Sequence, residues 1–102
     1  KAKGYIDALR NRAHAAVRPS YTLNDVLDER SRELYCEGLR RTDLIRFNQF
    51  GGTQATYKWE LKGGSTKGTT FAKTNNLYPI PSSEILSNKN LTQIDGYNEV
   101  QN

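Results

Sequence analysis

Apolar residues recur with helical spacing through the first half of the chain and lose that spacing in the second. In GYIDALRNRAHAAV (4–17), Tyr5, Ile6, Leu9, Ala13, Ala16 and Val17 share one face at about 100° per residue, which predicts a helix. Asp7, Arg10 and His14 lie off that face. Pro19 stops the helix, because the residue before a proline is pushed out of the α region. Thr22 then has the chemistry of an N-cap, with Asp25 in a capping-box position three residues on. A second helix is expected over Leu23–Cys36, ended by Gly38, and a shorter third over Arg41–Phe47. Two helices joined by so short a turn make an αα-hairpin.

From Asn48 to Asn76 the pattern changes, with five of the eight glycines and many Thr, Lys and Gln. TYKWEL (56–61) alternates, which predicts a short strand with Tyr57, Trp59 and Leu61 on one face. KGGSTKGTT (62–70) reads as a flexible loop. LYPIP (77–81) is expected to be extended and stiff, SSEILS (82–87) to make one helical turn, and the polar residues after it to wrap a surface. The expected division is therefore 1–47 helical, 48–76 a Gly-rich loop with a possible strand, and 77–102 a proline-anchored closing segment.

Charge sharpens the picture in one place. The stretch LDERSRELYCEGLRRTDLIRF (27–47) holds five acids and five bases, and every base is Arg. On a helical wheel Arg30 falls inside the apolar stripe of Val26, Leu27 and Leu34, with Glu29, Glu33 and Glu37 flanking it. A guanidinium on a buried face needs its donors satisfied, and its planar fork suits carboxylates. The carboxylates of Glu29, Glu33 and Glu37 repel one another at i,i+4 spacing and need cations from elsewhere. Arg40, Arg41 and Arg46, returning around Gly38, are candidates, as are Arg10 and Arg18 on the first helix; Asp43 completes the set. A structural ion-pair network is the expectation for Glu29, Arg30, Glu33, Glu37, Arg40, Arg41, Asp43 and Arg46. Catalytic carboxylates would face each other across a cleft rather than stack along one helix between arginines. Phosphate-reading arginines would not be matched by equal numbers of acids.

Composition excludes little more. The net charge of +4 comes without a run of like charge, so neither a nucleic-acid site nor a polyanion-binding tail is indicated. The single cysteine, Cys36, precludes an internal disulfide and reads as a packing residue. The one histidine, His14, has no partners at metal-ligand spacing, so no metal and no cofactor are expected. No apolar run approaches the roughly 18–20 residues that span a bilayer. The chain opens at Lys1 already in helical pattern, so any leader would lie upstream. A mean hydropathy of −0.80 is low for a free-standing globule. Either much of the second half is loop, or the chain is a piece that completes its core elsewhere.

The charged stretch resembles the C-terminal signature of the SusD/RagB family. The match falls on Leu27, Glu29, Arg30, Glu33, Leu34, Glu37, Gly38, Arg40, Asp43, Leu44 and Arg46. NLYPIPSSEILSNKNLTQIDGY (76–97) resembles the family's closing segment, YKWELKGG is a looser match, and YIDALRNRA resembles the preceding helix. The resemblance implies a mainly α fold with tetratricopeptide-like helix pairs, of which this chain would be the C-terminal part. It implies a non-enzymatic, lipid-anchored protein of the outer-membrane surface. Such a protein captures oligosaccharides, or in some members peptides, for a SusC-type TonB-dependent transporter. The partners implied are the remainder of the parent chain, that transporter and the ligand, with no nucleic acid. The membrane is contacted only through an N-terminal lipid anchor outside this sequence; Cys36 does not match the lipid-bearing cysteine. In that family the signature motif is structural and ligand contacts come mostly from elsewhere in the chain. Ligand contacts are therefore sought among the loop aromatics, Trp59 and Tyr57 first, then Phe71 and Tyr78, since flat rings stack on sugar C–H groups. For Trp59 and Tyr78 the competing role is to pin the loop to the helical body. Nothing singles out Lys62, Asn75 or Asn76 among the polar loop residues.

Overall fold

The computed structural model describes residues 1–97. Among them the fold is mainly helical: α1 (Ala2–Arg12), α2 (Leu23–Glu33), α3 (Arg40–Arg46) and α4 (Ser82–Ser87), with 3-10 turns at Lys62–Gly64 and Lys73–Asn76. Contacts divide the chain into two compact units, Lys1–Phe47 and a second beginning at Asn48. Among the described residues, no helix is long and apolar enough to cross a membrane.

In the first unit, α1 ends a full turn earlier than its apolar pattern suggests. The Ala15 N–H bonds back to the Arg10 carbonyl at 2.8 Å, while His14 takes a left-handed φ of 53°. The helix is closed there, before Pro19 can act. The start of α2 follows the expected cap. Thr22 Oγ1 accepts from the Asp25 N–H at 3.2 Å, and Asp25 Oδ2 accepts from the Thr22 N–H at 2.7 Å. α2 stops at Glu33 rather than Cys36, because Cys36 (φ 64°) and Gly38 (φ 73°) both turn left-handed before α3 begins. Ile6, Leu27 and Leu44, one from each helix, form the buried apolar centre. The stripe is only partly covered: Tyr5 and Leu23 remain exposed. A groove of about 310 Å³ runs between α1 and α2, lined by Tyr5, Leu9, Val26 and Leu34 among others.

In the second unit the expected strand over 56–61 does not form. Leu61 adopts a left-handed φ of 65°, and the chain curls at once into the Lys62–Gly64 turn. Among the described residues the one ladder-like contact is an isolated parallel bridge between Gly51 and Phe71. Residues 62–70 are tied down rather than loose. Thr69 N–H donates to the Lys62 carbonyl at 2.9 Å and Gly68 N–H to that of Ser65 at 2.8 Å. Gly68 is needed there, since a Cβ would lie 2.4 Å from the Trp59 carbonyl oxygen and φ is +70°. Further on, the extended prolines lead into α4 as expected. The Gln93 side chain clamps Ile80, accepting from its N–H (3.0 Å) and donating to its carbonyl (2.9 Å). The Tyr97 hydroxyl reaches the carbonyls of Leu77 (2.7 Å) and Thr74 (3.0 Å). Residues 98–102 of the predicted closing segment lie outside the described residues.

Candidate functional site

The charged signature forms a set of inter-helix pairs. Glu29, buried on α2, accepts from Arg10 Nη1 at 2.9 Å and Arg32 Nη1 at 2.7 Å. The same Arg10 sends Nε to the Ala16 carbonyl at 2.7 Å, fixing the chain beyond α1. Asp43, buried on α3, accepts from Arg30 Nε at 2.8 Å and from Arg46 Nη2 at 2.9 Å. Arg40 Nη1 donates to the Leu27 carbonyl at 2.7 Å, and its Nη2 approaches Asp28 Oδ1 at 3.8 Å. Glu33 is bidentate with Arg12 Nη2, at 2.6 and 2.5 Å, on a more exposed surface. Arg41 is half-buried on α3. Glu37 stands exposed in the turn after α2, in no ion pair among the described residues. Glu29 and Asp43 are thus each held between two guanidiniums.

Two partners differ from the sequence reading. Arg10, one of the expected candidates, takes Glu29, but Glu33 goes to Arg12, which that reading did not name, while Arg18 pairs with Asp25 and Arg46 joins Arg30 on Asp43. The alternation of Arg10 and Arg12 near the end of α1 was the available signal for the second pair. Two exposed-edge carboxylates are also tuned. Hydrogen bonds from Thr22, then the charge of Arg18, hold Asp25 below its usual pKa. The Lys3 hydrogen bond does most to lower that of Asp7, with Tyr21 and Arg10 adding to it.

The second unit places the aromatic candidates together. Trp59 and Tyr57 lie with ring centroids 6.4 Å apart, Trp59 meets Phe71 edge-on at 6.3 Å, and Phe71 contacts Phe50 at 5.1 Å. The Tyr57 N–H is held by Gln49 Oε1 at 2.8 Å. Trp59 is 39% exposed and Tyr57 is half-buried. At the centre is Lys62, which the sequence reading leaves among undistinguished loop polars. It is 1% exposed. Its Nζ donates to the carbonyls of Tyr57 (2.9 Å) and Phe50 (3.1 Å) and lies 4.6 Å and 5.1 Å from the ring centroids of Trp59 and Phe71. Burial, with the nearby Lys58 charge adding, pulls its pKa below the usual lysine value. Tyr78 is largely exposed. A small polar cavity of about 260 Å³ lies among Asn48, Gln54, Lys73 and Asn76. Among the described residues, no group of three His, Cys, Asp or Glu side chains is arranged to hold a metal ion.

Against known proteins, the model of the SusD family matches residues 1–97. Over 97 residues the chain is 44% identical to the starch-binding protein SusD of Bacteroides thetaiotaomicron. The match covers 94% of this chain and 17% of that protein, so the chain spans about a sixth of the length of its curated relative. With a family model matched along nearly its whole length, the chain belongs to the SusD family.

Proposed function

We propose that the protein to which this chain belongs captures oligosaccharides at the bacterial cell surface without acting on them chemically. The observation that carries this reading is the 44% identity, across 97 residues, to a protein named for binding starch. In this reading the protein is lipid-anchored at the outer membrane and hands its ligand to a TonB-dependent transporter of the SusC type. The first unit contributes structure. Its buried acids are paired with arginines, and its open α1–α2 groove suits packing by the remainder of the parent chain. The second unit contributes the candidate contacts Trp59 and Tyr57, whose neighbouring rings leave part of the indole free for a sugar face.

A second reading of Trp59 is favoured by its contact with Lys62: the ring pins the loop and touches no ligand. Peptide capture by the same architecture, and a scaffold whose task is to dock a protein partner, are the alternatives at the level of the whole protein. Calorimetry on the intact protein with panels of glycans and peptides distinguishes them. Saturable glycan binding is expected; saturation by peptides alone, or by neither, overturns the capture of oligosaccharides. Trp59→Ala then assigns the ring: weakened glycan binding supports contact, and unchanged affinity with reduced stability supports the pin.

A further inference from the structure

A buried cation is usually balanced by an anion, and Lys62 is not: among the described residues no carboxylate pairs with it. Two carbonyl dipoles and two ring faces take that place. The carbonyls belong to Phe50 and Tyr57, so the ammonium bridges the start of the unit to the aromatic loop. The backbone is tied at the same point, with the Lys62 N–H on the Trp59 carbonyl at 3.1 Å and Thr69 N–H on the Lys62 carbonyl at 2.9 Å. Gly68 lets a third strand of chain pass close to that Trp59 carbonyl. The backbone beneath Trp59 is thus set, and the indole's own freedom is limited by the ammonium over its face and by the Phe71 ring at its edge.

We propose that Lys62 is a positioning residue for Trp59, resting on the reading of Trp59 as a ligand contact given above. The ammonium closes one side of the indole and holds the ring in a single orientation, with its exposed portion directed outward before any ligand arrives. A side chain already ordered loses less freedom on binding, which is the usual gain from preorganisation. Lys62 itself is shut away from the ligand. Its effect on affinity runs through the ring.

The test uses the intact protein, a soluble malto-oligosaccharide as probe, and 5-fluorotryptophan labelling with the Trp59 resonance assigned from Trp59→Phe. Lys62→Met keeps much of the side-chain bulk and removes the charge. It is expected to shift or broaden the Trp59 fluorine resonance and to weaken oligosaccharide binding by up to about tenfold, the scale of ordering one side chain on binding. Lys62→Arg retains a cation and is expected to recover part of both signals; it also serves if Lys62→Met fails to fold. Tyr97→Phe, which removes the hydroxyl contacts to Leu77 and Thr74 in the same unit, controls for stability and should leave both readouts unchanged. A Lys62→Met protein with wild-type fluorine resonance and affinity overturns the inference. Should Trp59→Ala leave oligosaccharide binding intact, the ligand reading of the ring falls instead, and the fluorine resonance alone decides whether Lys62 orients it.

Discussion

The two units of the chain both bury charge and neutralise it by different means. In Lys1–Phe47 each buried carboxylate is set between two arginines, Glu29 between Arg10 and Arg32, Asp43 between Arg30 and Arg46. In the second unit a lone ammonium is satisfied by carbonyls and aromatic faces. The difference follows from what each segment has available. Most helix carbonyls are taken by the helix's own N–H groups, so charges between helices find mainly side chains, with the Leu27 carbonyl reached by Arg40 as an exception. A segment with little regular structure has free carbonyls to offer, and a cation can organise them. The first unit is therefore held by several pairs of unequal burial, whereas the 50–71 part of the second gathers around one side chain, with Gln93 and Tyr97 fastening the segment beyond it.

The strongest way to break this comparison is Lys62→Ala. It leaves the Phe50 and Tyr57 carbonyls without their donor and opens a cavity under two rings, at a cost of about 3–5 kcal/mol. Amide hydrogen exchange in the intact protein should show protection lost across residues 50–71 and kept in α1–α3. Loss confined to one or two amides would mean that order in this unit is spread over many contacts. Next comes Asp43→Ala, which strips Arg30 and Arg46 of their shared partner at the α2–α3 junction. About 3 kcal/mol is expected, at the lower end for a broken buried pair because both arginines can turn toward water. Urea unfolding monitored by exchange in α2 and α3 measures it.

What the sequence made legible was local. The Thr22–Asp25 box could be read because its partners are three residues apart and their chemistry allows little else. Periodicity set Arg30 inside the apolar stripe of α2, yet its side chain is 36% exposed, and Glu29, expected only at the flank of that stripe, is the buried charge of the helix. Which carboxylate Arg30 meets depends on how α2 and α3 cross, so Asp43 could not be singled out. The ends of α1 and α2 were overrun for a related reason. His14 and Cys36 take left-handed backbone, a conformation uncommon for any non-glycine residue, though histidine adopts it more readily than most. The alternation of Tyr57, Trp59 and Leu61 mimicked a strand, and the left-handed Leu61 ended it. Lys62 was hardest to see, because lysine is among the residues least often found inside. Its cage is assembled from Phe50, Tyr57, Trp59 and Phe71, a set that only the folded loop brings together.

Smaller effects sharpen the account of the first unit. Thr22→Ala removes the cap of α2 and should cost about 1 kcal/mol. The same cap predicts an acid limit. Asp25 is held below its usual pKa, so its contribution is complete above the unfolded value near pH 4 and is lost as pH falls through the lower folded value. Exchange protection in the first turn of α2 should decline over that range. Asp25→Asn should flatten the decline; an unchanged profile would assign the acid sensitivity to other carboxylates.

The smallest effect is expected for the pair that engages both carboxylate oxygens yet lies nearest the surface. Glu33 bonds Arg12 through both oxygens, yet the Arg12 side chain is 65% exposed and that of Glu33 33%. Water and salt compete for both groups, so Glu33→Gln should cost no more than about 1 kcal/mol, and less in high salt. Asp43→Ala should be far less sensitive to salt, because its carboxylate is enclosed. Parallel unfolding of the two variants at low and high ionic strength therefore ranks the pairs by burial. If Glu33→Gln proves as damaging as Asp43→Ala, the arginines and acids act as one coupled lattice rather than as pairs of unequal depth. The contrast with the single caged cation of the second unit would then lie in cooperativity and not in the choice of partner.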